Sequence, residues 1–124
     1  LSVQFVRADV LVTGDTYWNG AYPFIDHVAG GHIDGMIRAA ESSLALAGED
    51  TLIVPGHGPV ATRQDLLDFR DMLVAVRDNV AALKRQGLTV DEVIAARPTA
   101  AFDARWGSFV IDPAFFTRLV YRGL

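Results

Sequence analysis

Apolar positions along the chain recur with two different periods, and the changes of period outline the elements. Leu1 to Phe5 alternates loosely and is rich in apolar residues, which predicts a short strand. Ala8 to Val12 is apolar except for Asp9 and predicts a second, mostly buried strand that stops at Gly14. Val6 and Arg7 lie between them, so the two strands are expected to pair as a hairpin, although the usual Asn-Gly turn signal is missing. From Asp15 to Gly31 no helical period survives. Asn19-Gly20, Pro23 and Gly30-Gly31 punctuate this stretch, which is expected to be a loop. It carries Tyr17, Trp18, Tyr22, Phe24, Asp26 and His27, a composition that speaks against disorder and for a functional loop.

Beyond this loop the period is helical. Ile33, Met36, Ile37, Ala40, Leu44 and Ala47 share one face, predicting a helix from about His32 to Ala47 that ends near Gly48. Thr51 to Val54 predicts a short β-branched strand running into Pro55-Gly56-His57-Gly58-Pro59. Thr62 with Asp65 resembles a capping box, and Leu66, Phe69, Met72, Leu73, Val76, Val80 and Leu83 form one stripe ending at Lys84-Arg85. This is the longest predicted helix, with basic residues in its last turn as the helix dipole prefers. Thr89 with Glu92 opens a short helix that stops before Pro98. Asp112-Pro113 opens a last one, with Phe116, Leu119 and Val120 inward. The expectation is an α/β domain, a short sheet packed by about four helices.

Composition narrows the class. The 124 residues fit a single domain, 51% hydrophobic and 21% charged, so a folded core is expected rather than a disordered tail. The net charge of −4 and the scattered basic residues make nucleic acid an unsuitable partner. No apolar run is long enough to span a membrane and no signal-peptide pattern is visible, so a soluble chain is expected, its compartment, cytoplasm or periplasm, left open. Without cysteine, any metal must be held by His, Asp or Glu.

Two junctions carry the candidate chemistry. Thr13-Gly14-Asp15-Thr16 sets a carboxylate just past a buried strand, and Pro55-Gly56-His57-Gly58-Pro59 sets an imidazole in a stiff frame at the end of another. Ligands of open α/β sheets bind beyond the carboxyl ends of strands. If these two strands are neighbours, Asp15 and His57 converge, and one carboxylate with one imidazole suits zinc or another transition ion. The plainer alternatives are an Asx-turn or cap for Asp15 and a hydrogen-bonded structural imidazole for His57. His32, at a helix start, reads as a capping or surface residue. His27 is either a substitute ligand or substrate contact, or an ordinary loop histidine. Asp26 either orients a ligand or serves a turn. The aromatic residues of the loop either line a pocket or plug the core, and their burial energy favours the core. Ser42, Ser43 and Ser108 have no histidine near them in sequence to make a nucleophile–base pair.

Together, Ala8-Asp9-Val10-Leu11-Val12-Thr13-Gly14-Asp15-Thr16 and Pro55-Gly56-His57-Gly58-Pro59 resemble the second half of the metallo-β-lactamase superfamily. The likeness extends to Asn19-Gly20, Tyr22-Pro23-Phe24-Ile25-Asp26, Gly30-Gly31, Pro98-Thr99-Ala100 and Phe102-Asp103-Ala104-Arg105-Trp106-Gly107, and so covers essentially the whole chain. It is strongest toward the cyclase-like and zinc-dependent hydrolases of that superfamily. The resemblance implies half of an αββα sandwich, with Asp15 as the aspartate bridging two metal ions and His57 as the last histidine ligand. Thr16, Asn19, Tyr22, Asp26 and His27 would then stand beside the metal or line the substrate pocket.

The departure is equally clear. The complete family domain is about twice as long. Its first half brings an HxHxDH ligand cluster and a further histidine, and neither occurs within these residues, whose histidines are His27, His32 and His57. The expectation is therefore a single half-domain over 1–124, with zinc or another divalent metal bound weakly or not at all in isolation, and little activity. Losing the facing half would bare an apolar sheet face. A homodimer or larger oligomer, or the missing N-terminal half, is expected to cover it. The competing expectation is a non-catalytic binding or structural module that keeps the fold.

Overall fold

The structure, a computed structural model, describes residues 2–124; Leu1, where the first predicted strand begins, lies outside the described residues. Three strands, β1 (Val3–Phe5), β2 (Val10–Trp18) and β3 (Leu52–His57), form a mixed sheet in that order. β1 pairs antiparallel with β2, and β2 pairs parallel with β3. A parallel neighbour needs a crossover, and α1 (Ile33–Leu46) supplies it. The predicted hairpin forms, but its turn runs through Val6–Asp9 rather than Val6-Arg7. Asp9 is a turn residue with φ +54, not part of the strand. Its carboxylate accepts a 2.5 Å hydrogen bond from the Thr51 hydroxyl, which ties the turn to the start of β3.

A second correction concerns the long loop. β2 continues through Trp18, and β3 through His57, so Asp15 and His57 lie within strands rather than beyond them. The continuation was hidden because β2 is irregular between Val12 and Gly14 and again between Gly14 and Trp18. Such bulges break the alternation from which a strand is read.

Register divides the sheet into two faces. Leu11 lies opposite Ile53, both fully buried, with Thr13 buried further along β2. Gln4, opposite Leu11, reaches the Leu46 carbonyl at the end of α1, so this face looks toward the helices. On the other face the pairings form two rows, Val3–Val12–Val54 and Phe5–Val10–Leu52. All six side chains are apolar; Val3, Phe5 and Leu52 are exposed, and Val10, Val12 and Val54 are half-buried.

The helices start where the capping signals put them. The His32 imidazole accepts from the Gly35 N–H as N-cap of α1. Thr62 and Asp65 form a reciprocal capping box on α2 (Arg63–Arg85), and Thr89 and Glu92 do the same on α3 (Val90–Ala95). Those hydrogen bonds hold the fully exposed Glu92 carboxyl below its ordinary range, the Thr89 backbone N–H contributing most. The predicted stripe of α2 is fully buried from Leu66 to Val80 and packs against both the sheet and α1. Each such large apolar side chain contributes about 1.5–3 kcal/mol. Behind α2 lies α5 (Pro113–Arg122), capped by Asp112, whose Phe116 stacks on Tyr22 at 4.5 Å. The tail between them holds a 3-10 turn (Ala100–Phe102) and α4 (Asp103–Trp106), making five α-helices among the described residues rather than about four. The architecture is α/β. No helix among the described residues is long and apolar enough to cross a membrane.

Candidate functional site

Because β2 and β3 run parallel, their C-terminal ends emerge at the same edge of the sheet. Between the pairs Gly14–Pro55 and Trp18–His57, three residues of β2 (Asp15, Thr16 and Tyr17) face only Gly56 of β3. The surplus bulges outward. Gly14 takes φ +63, and the Thr16 hydroxyl donates to the Thr13 carbonyl at 3.0 Å, closing the bulge on itself. The Thr13 hydroxyl reaches across the strands to the Val54 carbonyl at 3.3 Å. Tyr17 turns inward against Phe69, ring centroids 4.9 Å apart, and Asp15 turns outward with a side chain 76% exposed.

Two glycines make the approach of Asp15 to His57 possible. A Cβ on Gly56 would overlap Asp15 Oδ1 and lie 2.8 Å from the Gly14 carbonyl oxygen. Gly58, at φ +92, has the Asn19 carbonyl where its Cβ would be. Asn19 clamps the loop from the other side: its N–H donates to the His57 carbonyl at 2.9 Å and its Nδ2 to the Pro59 carbonyl at 3.1 Å. The His57 ring rests on Trp18, centroids 3.9 Å apart and planes tilted by 34°, with Phe109 6.2 Å from both rings.

Asp15 Oδ1 and His57 Nε2 are 3.5 Å apart. An N–H···O bond spans about 2.7–3.2 Å, so the pair is loose as a hydrogen bond. An ion held tetrahedrally at about 2.0–2.2 Å by an imidazole nitrogen and a carboxylate oxygen would separate them by about 3.4 Å. Spacing and donor chemistry both fit two positions around zinc or a similar ion. Among the described residues no group of three or more His, Asp or Glu side chains is placed to hold a metal.

A scan of the sequence against protein-family models finds no match. A search of curated proteins finds none either.

The other candidate residues scatter. Asp15, Thr16 and Asp26 line one cleft of about 570 Å³, together with Trp18, Phe24 and Arg38. Asp26 is nonetheless a turn residue: its carboxylate accepts from the Ala29 N–H at 3.1 Å and its carbonyl from the Gly31 N–H at 2.8 Å. Asn19 frames the His57 loop instead of entering the cleft. His27 points away, its Nε2 donating to the Leu119 carbonyl at 2.9 Å, which pins the loop to α5. Tyr22, for which pocket and core were both open and burial favoured the core, lies in the core. It is fully buried, and its hydroxyl donates to Asp103 at 2.8 Å; burial, then that carboxylate, push the phenol well above its ordinary range. Burial does the same to Tyr17, whose hydroxyl has no hydrogen-bond partner among the described residues.

Four contributors were missed in the sequence. Gly56 makes room for Asp15, and its place between two prolines was read only as stiffness. Arg38 and Met36 lie on the cleft side of α1, where helical spacing from Gly35 to Ala39 would have found them. Phe109 had no signal, because it comes from a tail without regular period.

Proposed function

We propose that the chain is the C-terminal half of a metal-dependent hydrolase of the metallo-β-lactamase superfamily, with Asp15 and His57 as two of its metal ligands. The observation that carries this reading is the 3.5 Å separation of Asp15 Oδ1 and His57 Nε2 at adjacent parallel strand ends, with Gly56 as the residue that leaves room for it. Further support comes from the sheet, whose second face leaves Val3, Phe5 and Leu52 exposed. In an αββα sandwich the remaining side packs on a second sheet.

A bound divalent ion would acidify its water and polarise a scissile carbonyl or phosphoryl group. The chain's own part is to hold one carboxylate and one imidazole in fixed relation, with Trp18 backing the imidazole and Asn19 holding its loop. Catalytic zinc takes three protein ligands and a water, so the remaining ligands come from a partner half or from a second copy. The isolated chain therefore binds metal weakly and hydrolyses little, and it associates through the six-residue apolar face as a homodimer or larger oligomer. Small-angle scattering that fits a compact monomer overturns the association.

Calorimetric titration with zinc tests the ligand assignment. The expected result is weak binding that Asp15→Ala and His57→Ala each abolish while the circular dichroism spectrum stays the same. Binding unaffected by either change overturns it. The apolar face itself favours a second reading, a non-catalytic binding or structural module, because such a face drives association without metal. Retained association with no zinc binding at all supports that reading instead.

A further inference from the structure

The cleft of about 570 Å³ beside the strand ends has the volume of a small-molecule site, which typically spans about 300–1,000 Å³. Its walls are chemically unequal. Trp18, Phe24, Ile25 and Met36 give it an apolar lining, Asp15 stands at the β2 side, and Arg38 projects from α1. The charges differ in how they are used. Asp15 faces His57, and the Asp26 carboxylate is taken by the Ala29 N–H. Arg63, Arg77, Arg105 and Arg118 are engaged by helix-end carbonyls or by carboxylates of their neighbours. Arg38, exposed on α1, makes neither a salt bridge nor a side-chain hydrogen bond among the described residues; the same holds for Arg7, Arg85 and Arg122, but of these four Arg38 lines the cleft. A guanidinium without a partner on the wall of an apolar cleft matches one kind of ligand, since its forked donors fit a carboxylate or phosphate in pairs.

We propose that this cleft binds small organic anions with an apolar body, the anionic group on Arg38 and the body against Trp18, Phe24 and Met36. That such a molecule is the substrate, and not merely a ligand, rests on the hydrolase reading given above. Arg38 then orients the molecule from the helix side while the bond to be cleaved lies toward Asp15. Trp18 links the two halves of the site, lining the cleft and carrying the His57 ring on its face.

The test uses three probes of one shape: 3-phenylpropionate, 3-phenylpropionamide and 3-phenylpropylamine. Each is titrated into the chain with chelator present, and binding is read from backbone amide shifts in ¹⁵N-resolved spectra. Gly31 and Gly35 line the cleft and report from it; Gly48 and Gly87, which do not line it, serve as controls. The expected result is that the carboxylate moves Gly31 and Gly35 and binds at least about fivefold more tightly than the amide, the discrimination a well-formed exposed ion pair delivers. Arg38→Gln erases that preference and Arg38→Lys keeps part of it. Equal binding of carboxylate and amide, tighter binding of the amine, shifts confined to the control glycines, or no shift of Gly31 and Gly35 by any probe would each overturn the proposal. With metal removed, the outcome is independent of zinc binding. Failure here leaves the metal-ligand assignment standing, and failure of the zinc titration leaves this one standing.

Discussion

Leu11 and Ile53, on the helix side of the sheet, are fully buried, whereas Val3, Phe5 and Leu52 on the opposite side keep 43%, 54% and 52% of their surface exposed. Both faces are apolar, and the difference is what the chain sets against them. On the helix side the sheet packs against α1 and α2, and side-chain caps bond an N–H at the starts of α1, α2, α3 and α5. On the other side, and at the strand ends where Asp15 and His57 meet, apolar and ligating groups stand ready for contacts that the described residues do not make. The closed side accounts for folding, and the open side and the strand ends are where the proposed function would act.

The comparison breaks first if core and open face prove equally costly to truncate. Phe69 is fully buried against Tyr17, so Phe69→Ala is expected to cost about 3–5 kcal/mol. Phe5→Ala, on the open side, is expected to cost under about 1 kcal/mol in dilute solution. Thermal and urea denaturation below the association range give both values. Equal losses would mean that the open face is already covered, by another copy or by a rearranged terminus.

A smaller effect is expected at the strand ends. Gly56→Ala forces a methyl group into the Asp15 carboxylate and the Gly14 carbonyl, and overpacking of this kind costs about 1–3 kcal/mol. Because the group displaced is Asp15 itself, zinc binding should fall together with stability. Gly48→Ala meets nothing nearer than the Thr51 hydroxyl at 3.6 Å and is the control. A Gly56→Ala chain that melts normally and binds zinc normally would show that Asp15 is free to move away, and would remove the argument for a site fixed by the fold.

How legible these features were depended on whether a residue's role was local. Helix starts read well, because Thr62, Thr89, Asp112 and His32 each bond an N–H three residues ahead. The stripe of α2 read well because one period governs 23 residues. The course of β2 past Gly14 did not, since the bulges that aim Asp15 destroy the alternation that marks a strand. The convergence of Asp15 and His57 was conditional on β2 and β3 being neighbours, which pairing decides and no local signal states. Tyr22 shows the limit from another side: its size favoured the core, but its partners, Asp103 and Phe116, lie about eighty residues away or more in sequence, beyond any periodicity.

The smallest effect expected tests whether the closed side is held together by packing or by charge. Asp68 on α2 is bonded by Arg105 at 2.9 Å and by Gln64 at 2.8 Å. Burial alone would raise its carboxyl, but the hydrogen bonds from Gln64 and Arg105 outweigh it and hold the group below its ordinary range. A carboxyl lowered on folding contributes stability that is fully present above the unfolded value, about 3.9, and is lost as pH falls through that value toward the folded one. The pair is partly exposed and screened, so the contribution is a few tenths of a kcal/mol. Asp68→Asn should therefore flatten the acid limb of stability against pH slightly and leave neutral-pH stability almost unchanged, as measured by urea titration from pH 7 to pH 3. A loss at neutral pH as large as that of Phe69→Ala would mean that charge, not burial, closes this side, and the contrast between the two faces would then need a different cause.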